Sequence, residues 1–265
     1  KWLRKVTIID EAAGTETTIA SVREENGILS VSKNESVQSF FICRRSGDVP
    51  ADVRRDPVLT FYKRQNVTKR EVVVAFALDA DKNIAIIPDA SALGSVSSFL
   101  PLVEERSGAK FLIQADFLVQ PGREAIQYEL AWNGWLVDEA VEAVKTAIDA
   151  FKAEPRWNGQ YLPLFDFTAH PGQPAFEKLF GPRLRTPVLN FLRSVPVVPA
   201  SRGEHVRPSN AVFVEKGLRG LLSEADLPLL FPGRPDLRLV ADELDVASLP
   251  PELRADMTRL EFGQV

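Results

Sequence analysis

Short apolar runs of roughly alternating character dominate the first part of the chain. "KVTIID", "TTIASV", "GILSVS" and "SFFICR", all between Lys5 and Arg44, are rich in β-branched and aromatic residues and punctuated by Gly, Asn and Asp. That is the pattern of strands joined by tight turns. Asn26-Gly27 is the pair that best tolerates the positive φ angles of a hairpin, so 17–23 and 28–32 are expected to pair antiparallel. Residues 49–68 are polar and basic; with the two that follow they offer Arg54, Arg55, Lys63, Arg64, Lys69 and Arg70. They read as a solvated helix or loop. Strand character returns in "REVVVAFALD" and "NIAIIPD", with a hairpin at Ala80 to Lys82. "SVSSFLPL" and "AKFLIQADFLV" follow, separated by the polar turn "VEERSGA". The last is apolar enough to lie in a sheet covered in part on both faces.

The clearest helix is predicted over 134–153. Val137, Val141, Val144, Ile148 and Phe151 step by four, three, four and three, while Asp138, Glu142, Lys145, Asp149 and Lys152 take other faces. One stripe is therefore apolar and belongs against the sheet. Asn133 is the expected N-cap, Pro155 the stop, and Trp132 and Trp135 the anchors of the start. Beyond Pro155 prolines become frequent and apolar pieces short. Helices are expected at 173–180, 186–193, "LRGLLSE" and 250–257, and strands at "NAVFVE" and "LRLV". The fold class is α+β: a mixed, mostly antiparallel sheet backed by a long helix in residues 1–155, then a smaller, mainly helical unit in 156–265.

Composition adds limits. The 265 residues are 45% hydrophobic, enough for a sizeable core. A net charge of −4 gives no overall attraction to nucleic acid or an anionic membrane surface. Cys43 is the sole cysteine, so there is no intrachain disulfide and no cysteine-rich zinc site, and the expected compartment is intracellular, cytoplasmic or nuclear. No apolar run reaches the roughly 18 residues of a membrane-spanning helix. The chain opens on Lys1 and runs straight into a strand, which suggests a fragment of a longer protein.

Candidate chemistry is sparse. His170 and His205 stand apart, outside any HExxH or CxxC context, and read as surface or turn residues. No GxSxG, GxxxxGK[ST] or GxGxxG motif occurs, and no metal or cofactor site is expected in this chain. The carboxylates of "DADKN", "VEERSG" and "VADELD" read as solvated faces or caps. What stands out is "FLVQPGREAIQ", residues 117–127, where an apolar strand leaves through Pro121 and Gly122 to present Arg123 and Glu124. A guanidinium at the end of a rigid strand suits an anionic phosphate. The blander role, favoured on pattern alone, is a turn fastener paired with Asp116 or Glu124.

Residues 72–153 add a resemblance. "VVVAFALD", "FLPLVEERSGAKFLIQADFLVQPGREAI" and "WNGWLVDEAVEAVKTAIDAF" resemble the region after the nucleotide-binding domain in sacsin-like proteins. These are GHKL-superfamily ATPases of the NOV group, related to the ninety-kilodalton heat-shock chaperones. "QPGREAIQ" is similar to the chaperone middle-domain segment that carries a catalytic arginine. The resemblance implies a transducer domain in which Arg123 contacts the γ-phosphate of ATP held with magnesium by a separate amino-terminal domain, Glu124 orienting it. Contacts of this kind contribute about 10³ to 10⁵ in rate where they complete a GTPase site. The family's nucleotide-binding motifs are missing here, so the chain is not expected to be an enzyme on its own. Its implied partners are that ATPase domain and client proteins. Gly122 also stands where the chaperones carry a small polar residue. The competing reading is a protein-interaction or scaffold module in which Arg123 is structural.

Overall fold

The computed structural model describes residues 4–87, 95–122, 125–215 and 220–261. The fold is α+β, with a mostly antiparallel sheet and one long helix. The sheet is built from β1 (Lys5–Asp10), β2 (Thr15–Arg23), β3 (Ile28–Lys33), β4 (Ser36–Asp48), β5 (Lys69–Leu78), β6 (Val96–Ser98), β7 (Leu100–Pro101) and β8 (Leu112–Gln114). Its strand order is β1-β2-β3-β4-β5-β8-β6-β7, antiparallel throughout except where β6 runs parallel to β8. The expected hairpin is present. Asn26 (φ 61°) and Gly27 (φ 77°) turn the chain, and Arg23 pairs with Leu29 and Val22 with Ser30. In "NIAIIPD" the described residues contribute an isolated bridge from Ile84 to Leu78 rather than a strand, and Pro88 and Asp89 lie outside them.

Between β4 and β5 lie two short helices, α1 (Ala51–Arg54) and α2 (Val58–Phe61). This segment is not simply solvated. Val53 and Leu59 are buried in it, which ties the basic stretch to the core.

The long helix α3 runs from Ala131 to Ala153, starting before its expected boundary. Leu130 occupies the N-cap position without a side-chain hydrogen bond, and Asn133 lies inside the first turn. The predicted cap is therefore a correction, and its cause is tertiary: the Asn133 amide is committed elsewhere. Val137, Val141, Val144, Ile148 and Phe151 are buried as expected, but so are Leu136, Ala140, Ala143 and Ala147. The second set is covered by residues 176–185 and by α4 (Thr186–Ser194), so α3 is sandwiched between the sheet and the later part of the chain. Small alanines let that second layer approach closely.

Two separate helices were expected at 173–180 and 186–193. Instead a continuous helical segment runs from 174 to 194, and Phe176–Arg185 is wound as a π-helix through Gly181 and Pro182. Proline has no N–H to donate, and wider winding accommodates it without breaking the segment. Further on come β9 (Val198–Pro199), β10 (His205–Val206), β11 (Ala211–Val214), α5 (Leu227–Leu230), β12 (Arg238–Leu239), α6 (Pro251–Asp256) and β13 (Thr258–Leu260). The helix expected in "LRGLLSE" is a second correction. Residues 220–224 form no helix, Gly220 at φ 88° being incompatible with a right-handed one, and 218–219 lie outside the described residues. α5 starts later, where the Asp226 carboxylate accepts from the Ser223 N–H at 2.7 Å. Strand β13 was not anticipated; it flanks β11 in a small parallel sheet, order β12-β11-β13.

One contiguous apolar cluster runs from Ile28 to Met257 and includes residues on both sides of Arg156. Its centre is aromatic. Phe151 meets Phe76 edge-on at 4.9 Å, Tyr161 at 5.2 Å and Trp157 at 5.6 Å between ring centroids. The Trp157 indole N–H also donates to the Lys82 carbonyl at 2.8 Å, fastening the chain after α3 to the hairpin after β5. Among the described residues no helix is long and apolar enough to cross a membrane.

Candidate functional site

Arg123 and Glu124 lie outside the described residues. Their flanks are described, and these form a small hairpin beyond the carboxyl end of β8. The Gln120 N–H donates to Ala125 O at 2.9 Å and the Gln127 N–H to Leu118 O at 3.1 Å, while Val119 bridges Ile126 antiparallel. Gln120, Pro121 and Gly122 are exposed, whereas Phe117, Leu118 and Ile126 are buried. An apolar base thus carries a solvent-facing tip.

Three polar groups hold that base. Asn133 is fully buried, and its side-chain oxygen accepts the Leu118 N–H at 2.8 Å. Its amide donates to Leu118 O at 2.7 Å and Gln127 O at 2.9 Å, so one side chain closes both strands of the hairpin. Its side chain was expected to act locally as an N-cap, since asparagine favours caps; no local pattern reveals a partner fifteen residues upstream. Glu105 is the second group. It is 7% exposed and accepts the Ile126 N–H at 2.6 Å. Burial pushes its carboxyl above the ordinary range, and the Ile126 hydrogen bond opposes part of that shift. The reading of "VEERSG" as solvated is therefore corrected: Ser107 is fully buried as well, donating to Ser95 Oγ at 3.1 Å. The third hold is Gln127, whose side-chain amide donates to Val119 O at 2.9 Å and to the Tyr62 hydroxyl.

Asp116, one of the two partners considered for Arg123, is engaged by other arginines. Arg64 binds it bidentately, Nε to Oδ2 at 2.9 Å and Nη2 to Oδ1 at 2.8 Å, and Arg70 Nε reaches Oδ2 at 2.7 Å. The Trp132 indole N–H donates to the Asp116 carbonyl at 2.8 Å, and the Arg70 guanidinium lies 5.9 Å from the Trp132 ring centre. Two cations on one carboxylate leave an excess positive charge beside the base of the hairpin. In the sequence Arg64 and Arg70 belong to a polar, basic stretch that reads as solvated. Only the return of the chain from β8 brings Asp116 to them.

Elsewhere the chemistry is quiet. Cys43 is buried, and burial pushes its thiol pKa up, away from the reactive thiolate. His205 is half-buried, 2.9 Å from the Asn158 side-chain oxygen, with its pKa lowered by burial and by Lys152. His170 packs edge-on against Phe176. Among the described residues no group of His, Cys, Asp or Glu side chains is placed to hold a metal ion.

No family model, curated protein or solved structure matches this chain. The geometry of the hairpin and its supports is therefore what a functional reading rests on.

Proposed function

We propose that this chain is the transducer part of a sacsin-like, chaperone-type GHKL ATPase. It couples ATP binding in an amino-terminal domain outside the chain to rearrangement of the rest of the protein. Arg123 contacts the γ-phosphate in trans and Glu124 orients it. ATP and magnesium are held by the other domain; this chain contributes a cation and the rigidity behind it. A cation placed in advance needs little reorganisation as charge moves in the transition state. The observation that supports this reading is the hairpin base, gripped by Asn133, Glu105 and Gln127 beneath an exposed tip. In this reading the protein works in a reducing intracellular compartment, consistent with a lone, buried cysteine.

The test joins the chain to its natural upstream segment and compares ATP turnover with Arg123→Ala. A fall in kcat of at least about a hundredfold is expected, with nucleotide KM little changed, because the arginine acts on the transition state. Equal turnover in the two proteins would remove the proposal. The isolated chain is expected to show no ATPase activity.

A further inference from the structure

Helix α3 covers one face of the large sheet, the face carrying Phe41, Cys43, Val72, Val74 and Phe76, all buried. Side chains alternate along a strand, so their neighbours point the other way. Those neighbours are also apolar: Leu29, Val31, Phe40, Ile42, Val73 and Ala75. They are only half-buried, and this second face bears no described helix comparable to α3. At its β1–β4 end a groove of about 590 Å³ opens, lined by Arg4, Ser21, Arg23, Leu29 and Arg44 among others. A hollow of about 200 Å³ shares Arg23, Leu29 and Arg44 and reaches Ile28 and Ile42.

The charged side chains that line the larger groove are arginines. Arg4 and Arg23 have no hydrogen bond or ion pair from their side chains among the described residues. Arg44 is shared with Glu71 at 3.0 Å. Glu24, the carboxylate at the hollow, is already held by Lys82 at 3.0 Å and by Ser30. Two exposed guanidiniums without a protein partner among the described residues, and a third shared with Glu71, therefore stand around Leu29 and Ile42.

From this complementarity we infer that the groove is a docking site for an acidic protein segment, whose carboxylates meet Arg4, Arg23 and Arg44 while an apolar side chain enters the hollow beside Leu29. Nucleic acid fits less well. A phosphate backbone makes no use of Leu29 and Ile42, and the chain carries −4 overall. Desolvation over the apolar floor strengthens the few ion pairs beyond what exposed pairs contribute. The inference is independent of the ATPase reading, because it uses neither nucleotide nor Arg123.

The test uses the 265-residue chain and a fluorescein-labelled peptide of about a dozen residues, glutamates flanking a central leucine–phenylalanine pair, read by fluorescence anisotropy. Saturable binding with a Kd on the order of 10 μM is expected, a free energy near that of weak peptide recognition. Arg23→Glu should weaken it about tenfold or more, which corresponds to ~1.4 kcal/mol. Lys63→Glu, the same charge change at an exposed site on another part of the chain, should leave it within about twofold. Arg44→Ala serves as a second variant should Arg23→Glu alter the circular dichroism or melting of the chain. Replacing the glutamates of the peptide by glutamine should abolish binding. Absence of saturable binding overturns the inference, as does equal weakening by Arg23→Glu and Lys63→Glu. Tighter binding of a labelled oligothymidylate than of the peptide at the same groove would also overturn it.

Discussion

A buried carboxylate is the most informative single residue of the molecule. Glu105 supports the Ile126 N–H, yet its charge is penalised by burial, and its pKa in the folded chain is raised above the unfolded value. A group shifted in that direction contributes its stability fully below the unfolded carboxylate range and loses it as pH rises through the folded pKa. Glutamine in its place can still accept from Ile126 and does not titrate. The Glu105→Gln variant should therefore gain stability relative to the parent between pH 4 and pH 7.5, as followed by urea denaturation at both values. A difference that is the same at both pH values would show that Glu105 titrates alike in the folded and unfolded chains. Nothing in "VEERSG" distinguishes Glu105 from Glu104, because burial of one and exposure of the other follow from how the turn meets the 118–127 hairpin.

At the scale of elements, the join between α3 and the hairpin depends on Asn133. Alanine there would leave the Leu118 N–H without its partner in the interior, and the Leu118 and Gln127 carbonyls with only the Gln127 and Leu130 N–H groups. A buried polar group stripped of its partner costs about 1–3 kcal/mol, so Asn133→Ala should destabilise the chain by about 3 kcal/mol in urea. A loss below about 0.5 kcal/mol, the scatter of a surface change, would show that the amide is dispensable. Element type was largely legible along the chain. The Asn26-Gly27 hairpin, the stripe from Val137 to Phe151 and the strand "REVVVAFAL" form as their local patterns require. The misreadings share a cause, which is that local preference was overruled by long-range partners or backbone geometry. Asn133 gave up its cap to reach Leu118, Pro182 was absorbed by π winding, and Gly220 turned where a helix was expected.

For the whole molecule, the decisive feature is the continuity of the core across Arg156. Leu136, Ala140, Ala143 and Ala147 are buried against residues that follow Pro155, so a polypeptide ending at residue 155 would expose one side of α3. Returning Leu136 to water costs about 1.5–3 kcal/mol and each alanine methyl about 0.8 kcal/mol, and Phe151 also loses its ring contacts with Trp157 and Tyr161, together a large share of a domain's stability. The full chain is therefore expected to unfold in one cooperative transition. Residues 1–155 alone are expected to lack near-ultraviolet dichroism and to bind a hydrophobic dye. Two separated calorimetric transitions, or a natively packed 1–155, would show that the two parts fold independently.

The sequence by itself determined the kinds of elements, because hydrophobic period, glycine and proline act within a few residues of where they occur. It also pointed to "FLVQPGREAIQ" as an apolar stretch leading into a charged turn, although the expected strand ends at Gln114 and only Val119 bridges Ile126 beyond it. Only the tertiary structure decided what holds the base beneath it: Asn133, Glu105 and Tyr62 reach Leu118, Ile126 and Gln127 from separate parts of the chain, and Asp116 is taken by Arg64 and Arg70. It decided equally that α3 is covered on two sides while the far face of the sheet is left half-buried. The physical reason is the same in each case. Burial and pairing are properties of segments distant along the chain, and a periodicity records that a side chain is apolar without recording what will cover it.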